Sequence, residues 1–481
     1  MTRSITEAVQ RHAAEVPGRT AILAADGRLT YQVLWDKVRG FAAALSHAGL
    51  HKGECVVMRT EQTCAFAVCH LATHLAGGIF TPVEKRAPDA RLKEILRQTG
   101  ARILISASDE GVPCRMDSHL ALSDLEPEET SLPEGDAPAE LLFTTGTTGA
   151  PKGVLCSHRS VAAVAENLVF GMGYRADTLL AVPGPVSHAN AIRKLASTFL
   201  AGSAILLLDG MNDLAAFFRA LDEHPVTALN LPPSAIRLIL SLSGNRLGRY
   251  ASRIDFVESG TAPLSEADKA RMKALLPSSR LYNSYGTSEA GSCCMYNYAA
   301  IDGGAGCIGF PAHNARFEIV DDDRRPKVSS PENPGLIAIR GDMTMIGYWR
   351  DPALTRETLT DGLLFTSDIG YFDERGMVHV VGRQGDVINV AGHKVAPDAV
   401  EQAALALDDV VDCGCTKIAD PLTGESPILY VVMKPEKAFD PAAIREALSK
   451  RLEDFMLPRR ILLRDKLPRA ENGKLQRKLL Q

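Results

Sequence analysis

The sequence lacks any apolar run near the roughly 20 residues that span a bilayer, so no membrane span is expected. The first residues, Met1-Thr2-Arg3-Ser4-Ile5-Thr6-Glu7, lack the apolar core of a secretory signal, and a cytoplasmic location is expected. Excess basic charge is also missing: 53 Lys and Arg face 58 Asp and Glu, for a net charge of −5. That excludes a protein that coats nucleic acid through a basic surface, but not one with a local pocket for a small anion. The ten cysteines lack the spaced pairs of a zinc site. Cys55, Cys64 and Cys69 sit in apolar runs and are expected to be reduced. Internal repeats and low-complexity tracts are absent.

What is present is a globular composition, 46% hydrophobic and 23% charged, which excludes a largely disordered chain. Thirty-nine glycines and 27 prolines imply many tight turns, as in a large α/β enzyme and unlike a helical bundle. A length of 481 residues suggests two to four structural units, at about 100–200 residues each.

Residues 6–17 and 31–49 read as amphipathic helices; in the second, Leu34, Val38, Phe41, Ala42 and Leu45 recur at helical spacing. Short apolar strands at 55–58, 79–83 and 103–106 alternate with helices, including a buried one over 65–75. The alternation predicts parallel α/β sheet. Residues 125–138 read as a surface loop. The alternation resumes with helices at 161–169, 192–200 and 214–221 and strands at 179–182, 204–208 and 228–231. From about 306 to 383 frequent Gly and Pro separate short runs that look antiparallel. Residues 387–481 read as a small α+β unit: a helix from Ala396, strands near 411–418 and 428–433, a helix from Pro441 to Leu452, and a polar tail.

The sharpest motif is Leu141-Leu142-Phe143-Thr144-Thr145-Gly146-Thr147-Thr148-Gly149-Ala150-Pro151-Lys152-Gly153. An apolar strand runs into hydroxyls, glycines and one lysine. Glycines let a phosphate approach the backbone, hydroxyls donate to its oxygens, and lysine supplies charge. A polar hairpin is the bland alternative. A Walker loop is disfavoured, because Lys152 is followed by Gly153 and not by a hydroxyl.

This loop resembles the phosphate-binding loop of the adenylate-forming (ANL) superfamily, which includes acyl- and aryl-CoA ligases, peptide-synthetase adenylation domains and firefly luciferase. Further motifs follow in that family's order across essentially the whole chain. The resemblance implies that Thr144, Thr145, Gly146, Thr147, Thr148, Gly149 and Lys152 bind ATP. Glu258-Ser259-Gly260-Thr261-Ala262-Pro263-Leu264 looks like the segment lining adenine and the acyl pocket. Tyr282-Asn283-Ser284-Tyr285-Gly286-Thr287-Ser288-Glu289 resembles the family's Tyr-Gly-X-Thr-Glu. By that likeness Tyr285 packs on adenine, Ser288 contacts the α-phosphate and Glu289 coordinates Mg²⁺, a role that suits a hard oxygen ligand. Taken alone, Glu289 would be a solvated loop acid.

Asp368, in Thr366-Ser367-Asp368, resembles the aspartate that holds the ribose hydroxyls, with Ser367 in place of glycine. Gly382-Arg383-Gln384-Gly385-Asp386 resembles the hinge motif, with Arg383 on the ribose and Gly385 where relatives carry Asp or Lys. Gly392-His393-Lys394 resembles the loop facing the thiol tunnel. Pro468-Arg469-Ala470-Glu471-Asn472-Gly473-Lys474 resembles the segment whose lysine, here Lys474, is catalytic. A cation there makes sense, because a carboxylate attacking ATP brings two anions together. Without the resemblance, Lys474 would be a solvated tail charge.

The implied architecture is an α/β fold in two parts. Residues 1–383 form a large adenylation domain of mixed and parallel sheets layered with helices, with a small β-barrel-like part. Residues 384–386 form a hinge, and 387–481 a mobile α+β domain.

His188 stands where amino-acid-activating relatives carry an aspartate for the substrate ammonium. A histidine does not neutralise a buried ammonium as a carboxylate does. The expected substrate is therefore an acyl or aryl acid, not an α-amino acid. His188, Asn190, Ser259, Gly260, Tyr285 and Gly286 would line its pocket, with a satisfied loop histidine as the alternative reading of His188. Residues 281–297 lack the tryptophan motif of acetate-activating relatives, which favours a medium-sized acid. Arg193 and Lys194 could hold a second carboxylate or CoA phosphates, but such a pair is more often expected to reach out to solvent.

The implied activity is an AMP-forming acid–CoA ligase using ATP, Mg²⁺ and CoA. A carrier protein's phosphopantetheine thiol is the alternative acceptor. A nucleotide-binding regulator is a third reading, opposed by Lys474 and Glu289.

Overall fold

The computed structural model describes residues 3–106, 113–144, 152–211, 213–391, 393–469 and 475–480, and every count below refers to these. Helices begin where the sequence supplies caps. Ser4, Thr30, Thr63 and Ser157 each accept a backbone N–H of the first turn of the helices Ile5–Glu15, Tyr31–His47, Cys64–Leu75 and His158–Met172. Gly173 and Gly202 end the helices His158–Met172 and Ala189–Ala201 in the left-handed region, at φ +63° and +66°.

Three sheets organise the chain. The largest starts with the hairpin Thr20–Ala24/Gly27–Thr30. It continues through parallel strands Ala204–Leu207, Leu179–Val182, Ala228–Asn230, Phe256–Ser259 and Arg280–Thr287. It then turns antiparallel, through Gly291–Asn297, Cys307–Pro311, Val378–Arg383, Leu363–Phe372, Gly335–Arg340 and Arg316–Val320. This second half is the Gly- and Pro-rich stretch of the sequence. The second sheet runs Gly347–Tyr348, Lys152–Ser157, Pro138–Thr144, Ile79–Glu84, Cys55–Thr60, Ile103–Ile105 and Cys114–Met116.

Helices His158–Met172 and Ala189–Ala201 pack against each other and belong to the main core, which draws residues from both sheets. Burial of most of both helices explains why their sequences are largely apolar. Arg193 and Lys194 are adjacent charges on the second of them, and for these the expectation of solvent-seeking side chains is wrong. Arg193 is 3% exposed and Lys194 fully buried. Each pairs with a glutamate inside the core. A side chain on a helix enclosed between two sheets has no short route to water.

The third sheet pairs Ile388–Val390 with His393–Val395 and with Gly424–Met433, which also pairs with Val410–Asp420. It has its own core around Val400, Cys415, Leu429 and Leu448. Residues 384–386 form the turn between the last strand of the large sheet and the first of this one. Part of the expected polar tail is a strand, Arg460–Leu463, parallel to Gly424–Met433. Its three apolar residues between Arg460 and Arg464 are too few to show a period in the sequence.

Tyr31 ties the N-terminal helices to the large sheet, since its fully buried hydroxyl donates to the Ser203 carbonyl at 2.8 Å. Tyr31→Phe should lower stability by about 1–3 kcal/mol, because it leaves a buried acceptor without that donor. Urea denaturation of both proteins measures this, and an unchanged midpoint would count against the tie.

Candidate active site

The strand Pro138–Thr144 leads to the segment expected to bind phosphate. Thr144 donates its hydroxyl to the Lys152 carbonyl at 3.4 Å, and the chain returns as Lys152–Ser157. Thr145, Gly146, Thr147, Thr148 and Gly149 lie outside the described residues, as do Gly392 and Lys474; of Lys394 only the backbone is described. Lys152 Nζ stands 5.9 Å from the Tyr348 ring centre. Tyr348 donates its hydroxyl to Glu289 Oε1 at 2.8 Å. Burial and the Glu289 carboxylate raise the Tyr348 phenol above its ordinary pKa, so it stays protonated and donates. Glu289 thus comes to the loop's return strand with Oε1 bonded and with no hydrogen-bond partner for Oε2 among the described residues. Such an oxygen fits a hard cation such as Mg²⁺.

Gly260, Thr261, Ala262 and Pro263 leave the end of the strand Phe256–Ser259. Gly260 lies so close to the neighbouring strand that a Cβ there would meet Ser284 Oγ at 2.6 Å. Thr261 has φ +73°, a region that β-branched residues rarely occupy. Ser284, Tyr285, Gly286 and Thr287 end the strand Arg280–Thr287, with Ser288 in the turn before Glu289.

Three strands converge at Asp368, which is 5% exposed. Tyr285 donates its hydroxyl to Oδ2 at 2.5 Å. Arg383, directly opposite Asp368 in register, donates Nε to Oδ1 at 3.1 Å. Burial and Asp368 hold the Tyr285 phenol well above its ordinary pKa. Burial works against the Arg383 charge, but Asp368 outweighs it and raises the guanidinium. A carboxylate has about four acceptor positions, so two remain after these bonds, enough for a diol. Ser367 has no positive φ, so glycine is not needed there. Its carbonyl accepts from Gln384 at 2.8 Å and joins the Asp368 strand to the turn containing Gly385.

His188 caps the helix Ala189–Ala201, with Nε2 3.9 Å from Glu84 Oε2. Asn190 donates to Asn230 at 3.1 Å, and Asn230 donates to Glu258 at 3.1 Å. Ser284 donates to the other Glu258 oxygen at 2.7 Å, and Lys194 Nζ lies 2.6 Å from it. Asn190, expected in the acid pocket, and Ser284, expected at the nucleotide, therefore join through a fully buried glutamate. Ser259 is 1% exposed and its hydroxyl finds no hydrogen bond among the described residues. His393 stacks on Phe455, with ring centres 4.3 Å apart, within the third sheet's unit.

Sequence reasoning missed Asn230 and Tyr348 as site members, and it placed Glu258 in a site segment without giving it a role of its own. Glu258 carried a signal, a charge in the apolar run of Phe256-Val257-Glu258. Asn230 and Tyr348 carried none, because their partners are distant in sequence.

Lys194→Met would strand Glu258 in the core without its counter-ion. It should cost about 3–5 kcal/mol, and Lys194→Met/Glu258→Gln should recover most of that. Thermal and urea unfolding of both variants measures this; equal losses in the two would show that the charge pairing is not the reason.

A family model described as AMP-binding enzyme matches residues 9–349, and one for the AMP-binding enzyme C-terminal domain matches 399–474. The chain is 27% identical to 4-coumarate–CoA ligase 1 of Oryza sativa subsp. japonica, over 97% of this chain and 90% of that one. It is 29% identical to sulfoacetate–CoA ligase of Cupriavidus necator, over 97% and 95%. In fold it is similar to ATP-bound MatB from Rhodopseudomonas palustris, with a TM-score of 0.91 at 24% identity, over 100% and 98%. No helix among the described residues is long and apolar enough to cross a membrane. On its motifs, its sheets and these matches, the chain belongs to the AMP-binding enzymes of the adenylate-forming superfamily.

Proposed function

We propose that this enzyme activates a carboxylic acid with ATP, releases pyrophosphate, and passes the acyl group from acyl-AMP to the thiol of CoA. The convergence of Tyr285, Asp368 and Arg383 carries the reading. It offers a ring, a diol acceptor and a fixed positive charge at one place, the set that a ribonucleoside phosphate requires.

In the first half-reaction the acid's carboxylate attacks the α-phosphorus and pyrophosphate leaves. Lys152 and Lys474 offset the charge that gathers on the phosphates and the attacking oxygen. Glu289 would hold the magnesium ion, which when bound neutralises part of the triphosphate charge. In the second half-reaction the thiol sulfur attacks the acyl carbon and AMP leaves.

His188 supplies no carboxylate for an ammonium, which favours acyl and aryl acids over α-amino acids. The wall at Asn190 is polar through Asn230 and Glu258. That favours acids with a hydrogen-bonding group over plain alkyl chains.

The units 1–383 and 387–481 would take two orientations about 384–386, one bringing Lys474 to the α-phosphate and one bringing Gly392, His393 and Lys394 to the thiol. The chain on both sides of Lys474 is pinned within the small unit. Arg469 pairs with both oxygens of Asp412, at 2.9 and 2.5 Å, and bridges Leu475. Arg477 pairs with Asp398 and Glu401 and lies 4.0 Å from Asp386 in the turn. A segment anchored in this way moves with its domain.

A pyrophosphate-release screen over carboxylic acids tests the activity. Free acids should give release where α-amino acids do not, and CoA should consume the acyl-AMP. Consumption by a carrier protein and not by CoA would decide for the alternative acceptor; no release with any acid would overturn the reading. Asp368→Asn should raise the KM for ATP about tenfold or more, the equivalent of one charged hydrogen bond, with little change in the KM for the acid. Lys474→Ala should abolish acyl-AMP formation yet still convert supplied acyl-AMP to thioester. Equal loss of both half-reactions in a folded variant would argue for a single closed geometry.

A further inference from the structure

The core behind the phosphate loop holds a group of polar side chains that the ligase chemistry does not use. His70 and His74 lie four residues apart on the helix Cys64–Leu75, and so on one face. Each is 1% exposed. Glu140, fully buried, faces them from the strand Pro138–Thr144. His70 Nε2 is 3.0 Å from Glu140 Oε1, and one donor atom from each of the three residues falls within 4.8 Å of the others.

The second observation concerns His74. Among the described residues neither of its ring nitrogens completes a hydrogen bond, and His70 Nδ1 does not either. A buried orphan of this kind calls for an unseen partner. The rings around it are His70, at 4.4 Å between centres, and His158, at 4.8 Å. Both neighbours are rings with nitrogen donors of their own.

We propose that His70, His74 and Glu140 form a structural site for a zinc-class divalent ion. Two imidazoles and one carboxylate suit Zn²⁺, whose bonds to such atoms are about 2.0–2.2 Å. Ligand atoms up to 4.8 Å apart must close in by side-chain adjustment, which two helix-borne rings can supply. Ligation through His70 Nε2 moves that ring's proton to Nδ1, so no net proton is lost there. Arg193 already bonds the second oxygen of Glu140 and is the outer partner that fixes the carboxylate's direction. It also claims part of the same negative charge and so weakens the affinity. The site is closed to solvent, and loading would accompany folding. An ion there would brace the root of the phosphate loop, because Glu140 lies on the strand that leads into it.

The test is metal content. Full-length protein from zinc-supplemented medium, passed through a chelator and a sizing column, should retain about one zinc per chain by elemental analysis. Cobalt-substituted protein should show the visible absorption of tetrahedral Co²⁺. His74→Leu, which keeps the bulk, should lower retained zinc at least tenfold, and Glu140→Gln should do the same with little change of shape. Wild type without retained metal, or without the cobalt bands, would overturn the proposal even if neither variant folds. So would variants that keep the wild-type zinc content. A His74→Leu protein that melts as high as the zinc-supplemented wild type would show His70, His74 and Glu140 to be a polar core and no more.

Discussion

Two adjacent cations on one buried helix set the geometry on which the rest depends. Successive helical residues point about 100° apart, so Arg193 and Lys194 face different neighbours. Arg193 pairs with Glu140 on the second sheet, and Lys194 with Glu258 on the largest. The helix Ala189–Ala201 is thereby locked in rotation and in position along its axis. Burying four charges is costly, and such pairs are weak evidence for stability as such. Their consequence here is positional. Glu140 lies on the strand entering the phosphate loop, Glu258 on the strand entering the Gly260 turn, and His188 caps the helix between them.

The proposed nucleotide and acid ends of the site are built by different means. The nucleotide end relies on antiparallel pairing, in which the register that sets Asp368 opposite Arg383 also sets a carboxylate beside a guanidinium. Tyr285 reaches the same carboxylate from across the sheet. The acid end relies on parallel strands whose carboxyl ends lie side by side. There the polar groups join through Glu258, so a change at Asn190 or Ser284 is felt at Lys194. Ligands commonly bind at the carboxyl ends of parallel strands, because the loops there converge without having to cross the sheet.

The small C-terminal unit follows the same logic in a more exposed setting. Burial works to lower the Arg477 guanidinium, but Glu401, Asp398 and Asp386 outweigh it and keep the group charged. One side chain thus ties the end of the chain to the helix Pro397–Leu405 and reaches toward the turn at 384–386. Gly385 in that turn meets nothing within 4 Å of a would-be Cβ. That residue is free of packing, while the links within the small unit are charged. The contrast suits the proposed motion about 384–386.

Much of this was legible in the sequence because it is local. Caps, apolar periods and turn residues act within a few positions, and the helices and parallel strands form where those signals lie. The motifs at Thr144–Lys152, Tyr285–Glu289 and Asp368 stood out for a related reason: close approach to a phosphate or a ribose, the role proposed for them, would restrict which residues fit. Arg193 and Lys194 were misread because their direction depends on what encloses the helix, and one strand's worth of sequence cannot state that a second sheet covers the other face. The same holds for Asn230 and Tyr348, and for the meeting of His70, His74 and Glu140. Each is unremarkable in its own segment. Packing alone brings together residues 66 to 70 positions apart in the case of the histidines and Glu140, and in the low-dielectric interior that proximity, more than residue type, decides which charges pair and which polar atoms are left in need of a partner.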